Sequence, residues 1–210
     1  MKATLYYIYD PMCSWCWGFS CVLNELLDKI PQEIEVRPLL GGLAPDSDIT
    51  MPESMQQSIK ENWSRIEKSI PDVKFNFDFW RKNIPRRSTY PACRAVIAAR
   101  IQGKEYEKKM TEAIQQAYYR QARNPSDTST LTELSKELGL SVQKFQNDLR
   151  SIEVDNILRE EINLSRALYA ESLPTLVLML TDLNKASTIT INYNDSDTML
   201  NEIKNKLQSR

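Results

Sequence analysis

The chain has 210 residues, 41% of them hydrophobic, with 27 basic against 28 acidic side chains, a net charge of -1 and no histidine. That length suits one domain, or one domain carrying a large insertion. The balanced charge offers no basic excess for nucleic acid or an anionic membrane, no apolar run is long enough to span a bilayer, and the missing histidine removes Ser-His and Cys-His catalysis and His-ligated metals.

Taken in chain order, Met1-Lys2 passes directly into an apolar run that reads as a strand over residues 3–9. With no separate leader segment, a cytoplasmic location is the expectation if Met1 is the true start. Disulfides in that compartment are usually transient and catalytic. Next comes Cys13-Ser14-Trp15-Cys16, opening a helix from about Ser14 to Ile30. Its stripe is Trp15, Phe19, Val22, Leu23, Leu26, Leu27 and Ile30, and Pro31 ends it. Ile34 to Leu40 reads as a second strand, broken by Gly41-Gly42.

From about 50 to 168 the period is helical. Met55, Ile59, Trp63, Ile66 and Ile70 form one stripe, and Phe75, Phe77, Phe79 and Trp80 read as an anchor for this region. Arg86-Arg87 reads as a solvated loop. Ala92 to Ile101 is apolar nearly all round, as in a buried helix, and Tyr106 to Gln121 suggests the next helix. Thr130-Leu131-Thr132-Glu133 resembles a capping box, with Gly139 as the stop and Ser141 as the next cap. A further helix is predicted over about 152–168. Then Pro174 precedes the continuous apolar run Thr175–Leu180, residues 182–185 make a turn, and Thr188 to Tyr193 alternates as a partner strand. Ser196 is the expected cap of a final helix carrying Leu200, Ile203 and Leu207.

The two thiols three positions apart at a helix start suit a disulfide, because the free N–H groups and the dipole there favour the thiolate. Spacing alone also allows a zinc ion or inert packing. Zinc needs about four ligands, and Cys21 lies roughly 12 Å along the helix from Cys13, too far to share an ion. No metal is expected. Cys21 and Cys93 read as packing residues, and Trp15 as an exposed ring beside an accessible Cys13.

Four segments carry a family resemblance. They are Tyr9-Asp10-Pro11-Met12-Cys13-Ser14-Trp15-Cys16-Trp17-Gly18-Phe19, Gly41-Gly42-Leu43, Pro91-Ala92-Cys93-Arg94-Ala95 and Leu173-Pro174-Thr175-Leu176. Together they resemble the DsbA-like thiol–disulfide oxidoreductases, nearest the cytoplasmic FrnE-like branch described as predicted protein-disulfide isomerases. The resemblance implies an α/β thioredoxin fold with a large helical insertion between the second strand and the cis-Pro strand. On that reading residues 1–48 and 169–210 form the thioredoxin-like domain and 49–168 the inserted helical domain. It implies that Cys13 attacks, Cys16 resolves and Pro174 is a cis-proline facing them. Ser14, Trp15, Leu173 and Thr175 would contact a disulfide-containing protein or peptide.

No cofactor is implied beyond glutathione as a co-substrate, and the expected partners are the disulfide substrate and a cellular thiol reductant. The sequence leaves direction open, since CxxC proteins differ by roughly 150 mV, about 7 kcal/mol for two electrons. Two departures stand out. Such proteins often carry a buried carboxylate six residues before the first cysteine, where this chain has Tyr7, leaving the proton acceptor for Cys16 open. A glycine is usual before the cis-proline, where this chain has Ala170-Glu171-Ser172-Leu173. Alternatives are a kappa-type glutathione transferase or hydroxychromene-carboxylate isomerase, which typically has serine at the Cys13 position, and a non-catalytic peptide-binding module of the same fold.

Overall fold

A computed structural model describes residues 3–183 and 185–208; Met1, Lys2, Asn184 (within the expected turn), Ser209 and Arg210 lie outside the described residues. The strands are β1 (Ala3–Tyr9), β2 (Ile34–Leu40), β3 (Thr175–Leu180) and β4 (Lys185–Ile189). They form one sheet in the order β2-β1-β3-β4, with β1 parallel to β2 and β3 antiparallel to both β1 and β4. Helix α1 (Ser14–Lys29) makes the crossover between the parallel pair, and α9 (Ser196–Gln208) packs beside it. A parallel pair needs such a crossover, whereas β3 and β4 join through the short 3-10 turn Thr181–Leu183.

Between β2 and β3 come α2 (Glu53–Ser69), α3 (Phe79–Lys82), α4 (Tyr90–Gln102), α5 (Glu105–Tyr119), α6 (Thr128–Glu137), α7 (Val142–Leu149) and α8 (Ile152–Ala167). Helix α4 packs against α5, α6, α7 and α8, which explains its all-round apolar sequence. Residues Ala95 to Ala99 are completely buried. The predicted anchor is real: Phe75, Phe77, Phe79 and Trp80 all pack around the fully buried Trp63, with ring centroids 4.8 to 6.2 Å away.

Alternation along β1 supplies both faces of the sheet. Leu5, Tyr7 and Tyr9 join the main core beneath α1, while Ile8 joins Leu39, Leu168 and Val177 on the opposite face. Several boundaries differ from the sequence reading. The partner strand is Lys185–Ile189 rather than residues 188–193, because pairing Leu180 with Lys185 sets the register; Ile191 and Tyr193 still pack on the core. Thr130 lies inside α6, whose N-cap is Asp127, while Gly139 does end it with φ +74 and a Schellman pair, Leu140 N–H to Ser135 O and Gly139 N–H to Lys136 O. The last helix is capped by Asp195, which accepts from the N–H groups of Asp197 and Thr198, and Ser196 is buried against Glu25 and Lys29. Arg86 is not a free loop residue: it pairs with Asp127, while Arg87 is exposed.

Candidate active site

The chain leaves β1 at Tyr9 and turns through Asp10-Pro11-Met12, held by the Cys13 N–H donating to Asp10 O at 3.0 Å. Cys13 is the N-cap of α1, with extended backbone (φ -80°, ψ 118°), so its sulfur sits where the helix's unpaired N–H groups converge. Its thiol is held below the ordinary thiol pKa. The largest cause is the Cys16 thiol, aided by the N–H groups of Cys16 and Trp15; burial and Asp10 oppose. Cys16, one turn inward, is completely buried, and burial followed by Cys13 drives its pKa well up. The pair is therefore polarised, an ionisable outer sulfur above a protonated inner one.

The Leu173–Pro174 peptide bond is cis. The loop before β3 lies against α1, where Leu173 O accepts from the Cys13 thiol at 3.5 Å. Pro174 is buried, Leu173 is half-buried, and the Thr175 hydroxyl is turned back onto Ser172 O at 2.6 Å. Ser14 is half-buried beside Cys13. Trp15 is half-buried rather than exposed, because its ring lies 5.0 Å from that of Tyr193 in the chain leading to α9. Cys13 itself is only 6% exposed. The structure thus gathers Cys13, Cys16, Ser14, Trp15, Leu173 and Pro174 in one place and turns Thr175 into a brace for the loop.

The Gly41-Gly42 segment lies against this loop. A Cβ on Gly41 would come within 2.8 Å of Leu173 Cδ2, and one on Gly42, at φ +60, within 2.4 Å of Ile162 Cδ1. A side chain on Gly41 would push on the Leu173 lip, so the absence of one leaves room for it.

Asp10 is the residue whose importance the sequence hid. It is completely buried, and its Oδ1 accepts from the Met12 N–H at 2.8 Å. Its Oδ2 accepts from the Leu43 N–H at 2.7 Å, the Thr89 hydroxyl at 2.6 Å and the Cys93 thiol at 3.4 Å. One carboxylate therefore ties the turn before Cys13 to the loop after β2 and to the start of α4. Burial raises its pKa, and those same hydrogen bonds oppose the rise. Cys93 is a packed residue, as expected, but with a polar partner; burial and then Asp10 push its thiol well up. Cys21 is exposed on α1 rather than packed as expected, although the helical region touches α1 on either side of it, through Trp17 stacked on Tyr119 at 5.7 Å and through Lys108 donating to Asn24 Oδ1 at 2.8 Å. Among the described residues, no three Cys, Asp or Glu side chains converge to hold a metal ion.

With this geometry in place, a sequence model of the thioredoxin family matches residues 6–201. The chain belongs to the thioredoxin family. Its fold matches, end to end, a proposed protein disulfide isomerase from Nitrosomonas europaea, with a TM-score of 0.85, 23% identity and 100% coverage of both chains. It also matches the cytosolic disulfide reductase DsbM from Pseudomonas aeruginosa, with a TM-score of 0.77, 23% identity, and 99% and 100% coverage. At these identities the likeness is one of fold. Among curated sequences, the ClpXP adapter protein SpxH of Halalkalibacterium halodurans is 22% identical over 176 residues, 82% of this chain and 57% of that protein. Its Bacillus subtilis counterpart is 22% identical over 180 residues, 84% and 58%. The chain thus spans under two-thirds of those adapters' length. Among the described residues, no helix is long and apolar enough to cross a membrane.

Proposed function

We propose that this thioredoxin-family protein is a thiol–disulfide oxidoreductase that reduces or isomerises disulfides in protein or peptide substrates. The observation that carries the reading is the polarised pair: an N-cap thiol with a lowered pKa above a buried thiol with a raised one, facing the Leu173 carbonyl. The Cys13 thiolate attacks a substrate disulfide, forming a mixed disulfide and expelling one substrate thiolate. Cys16 then attacks the Cys13 sulfur, closing the intramolecular disulfide and releasing the second substrate thiol. Return of the substrate thiolate to a different sulfur, without resolution by Cys16, gives isomerisation. An extended substrate lies along the loop before β3, contacting Ser14, the Trp15 ring and the Leu173 backbone. A cellular thiol re-reduces the pair, and the cytosolic reductase of the same fold, also solved with GSH, supports glutathione in that role. A cytoplasmic location is part of the same proposal.

The test is reduction of insulin by dithiothreitol in the presence of wild type and Cys13→Ala. Acceleration by wild type and none by the variant is the expected result; equal rates would remove the proposal. The adapter relatives favour a second reading, a partner-binding module that keeps the fold without using the thiols. Partner capture unchanged by Cys13→Ala, with no effect of either protein on insulin, would point there. Glutathione conjugation that survives Cys13→Ala would point instead to a transferase.

A further inference from the structure

Away from the thiols, a cavity of about 290 Å³ lies between the sheet and the helical region, walled by β1, β2, α1 and α5. None of Cys13, Cys16, Trp15, Leu173 or Pro174 lines it. Its wall is largely apolar: Leu23 and Leu27 of α1, Val36 and Pro38 of β2, and the Tyr7 and Tyr9 rings of β1. Those rings are fixed by stacking on each other, with centroids 4.9 Å apart and planes 6° from parallel. An engineered apolar cavity of roughly 150 Å³ stays dry and takes up benzene, so a space about twice as large suits two fused rings.

Most polar groups around the cavity are already engaged. The Tyr9 hydroxyl pairs with Thr111 Oγ1 at 3.0 Å, the Ser20 hydroxyl donates to Trp17 O at 2.8 Å, and Arg100 donates to Glu107 Oε1 at 3.0 Å. Lys108 donates to Asn24 Oδ1 at 2.8 Å and pairs with Glu112 at 3.9 Å. Gln115 and Lys104 differ. Gln115 is only 3% exposed, yet its amide makes no hydrogen bond among the described residues. It is not among the sealed, unpartnered polar atoms either, so it opens onto the cavity that it lines. A buried amide left unpaired is destabilising, and an oxygen on a ligand would satisfy it. Lys104 lies exposed on the rim and has no ion-pair partner among the described residues. Lys104, Lys108, Thr111 and Gln115 follow one face of α5, which sets the lysine and the amide about 16 Å apart along the helix, less the reach of the lysine side chain.

We propose that this cavity binds a small anionic aromatic molecule, two fused rings in size, with an acidic group at the Lys104 end and a hydroxyl or carbonyl oxygen at the Gln115 end. The rings fill the space between α1 and the sheet, where apolar walls reward burial of an aromatic face. The free ammonium at the rim selects the acid, and the buried amide selects the distal oxygen. Because the thiols lie outside the cavity, the site stands independently of the oxidoreductase reading.

The test is titration of the full chain with 6-hydroxy-2-naphthoate, followed by calorimetry and by backbone amide shifts in NMR. Two relatives of that probe separate its ends: 2-naphthoate lacks the hydroxyl, and 2-naphthol, neutral at pH 7, lacks the acid. One saturable site with Kd below about 1 mM is expected, with shifts concentrated on β1, β2, α1 and α5. Lys104→Gln changes an exposed side chain and should weaken both acids about three- to fivefold, leaving 2-naphthol unaltered. Gln115→Leu should weaken hydroxynaphthoate about five- to tenfold and leave 2-naphthoate within about twofold. Leu27→Trp narrows the cavity from α1 and should weaken all three at least about tenfold. Absence of saturable hydroxynaphthoate binding to wild type, or shifts centred on Cys13 and Leu173, overturns the proposal. So does an equal response of the acids and 2-naphthol to Lys104→Gln. Should Gln115→Leu or Leu27→Trp fail to fold, the Lys104→Gln comparison and the wild-type shift map decide.

Discussion

Replacing Asp10 by alanine should separate the clamp beneath the active site from the thiols above it. The carboxylate is completely buried and serves four donors from three segments of the chain. Without it, the Thr89 hydroxyl retains Ala44 O at 3.3 Å, and the Cys93 thiol is a weak donor. The N–H groups of Met12 and Leu43 are left without an acceptor, at about 1–3 kcal/mol each. Removing a buried charge returns part of this, for a net loss of about 2–4 kcal/mol. In a chain of this size that lowers Tm by about 5–15 °C, read by calorimetry at pH 7.

The pH dependence gives a second check on the same variant. Burial raises the folded-state pKa of Asp10 above its unfolded value, so protonation favours the folded state. That stabilisation is fully present below the unfolded pKa of about 3.8 and is lost as pH rises through the folded value. The wild-type advantage over Asp10→Ala should therefore grow as pH falls from neutrality toward 4. A loss below about 0.5 kcal/mol at pH 7, or an advantage that shrinks on acidification, would refute the clamp.

Other consequences are open to simple measurements. Because the Cys13 pKa is lowered, its alkylation by iodoacetamide should titrate below an ordinary thiol, and at pH 7 Cys13 should react before Cys16 and Cys93; peptide mapping that finds Cys16 modified first would contradict this. Gly42→Ala combines φ +60 with a Cβ 2.4 Å from Ile162 Cδ1, and should cost about 2–4 kcal/mol in urea unfolding; a loss under about 1 kcal/mol would mean the turn relaxes freely. Tyr169 follows α8 at φ 59 and is 81% exposed, so Tyr169→Gly should stabilise by about 1 kcal/mol; a loss of stability would show that the ring makes contacts worth more than the backbone strain.

Legibility in the sequence followed the range of the interactions. Both parallel strands were legible, since the apolar run Leu5–Tyr9 ends at Asp10 and the segment Ile34–Leu40 lies between the helix-ending Pro31 and Gly41. The Cys13/Cys16 pair at a helix start is a local pattern, whereas the cis Leu173–Pro174 bond was legible only through the family resemblance, since a proline before an apolar strand is ordinarily trans. The Asp10 clamp was not legible, because its partners Leu43, Thr89 and Cys93 lie 33, 79 and 83 positions away and no local period marks them. The half-burial of Trp15 has no local signal, because Tyr193, which covers it, sits at the other end of the chain. The caps went astray where acidic residues competed: Asp127 and Asp195 start their helices one to three positions before the predicted Thr130 and Ser196.

The most direct test of the whole account is equilibration of the protein with glutathione at defined ratios of thiol to disulfide, followed by mass mapping of the trapped species. The account predicts a Cys13–Cys16 disulfide that forms and opens reversibly over one transition, with Cys21 and Cys93 outside it. Absence of that disulfide at every ratio would contradict a redox role for the pair.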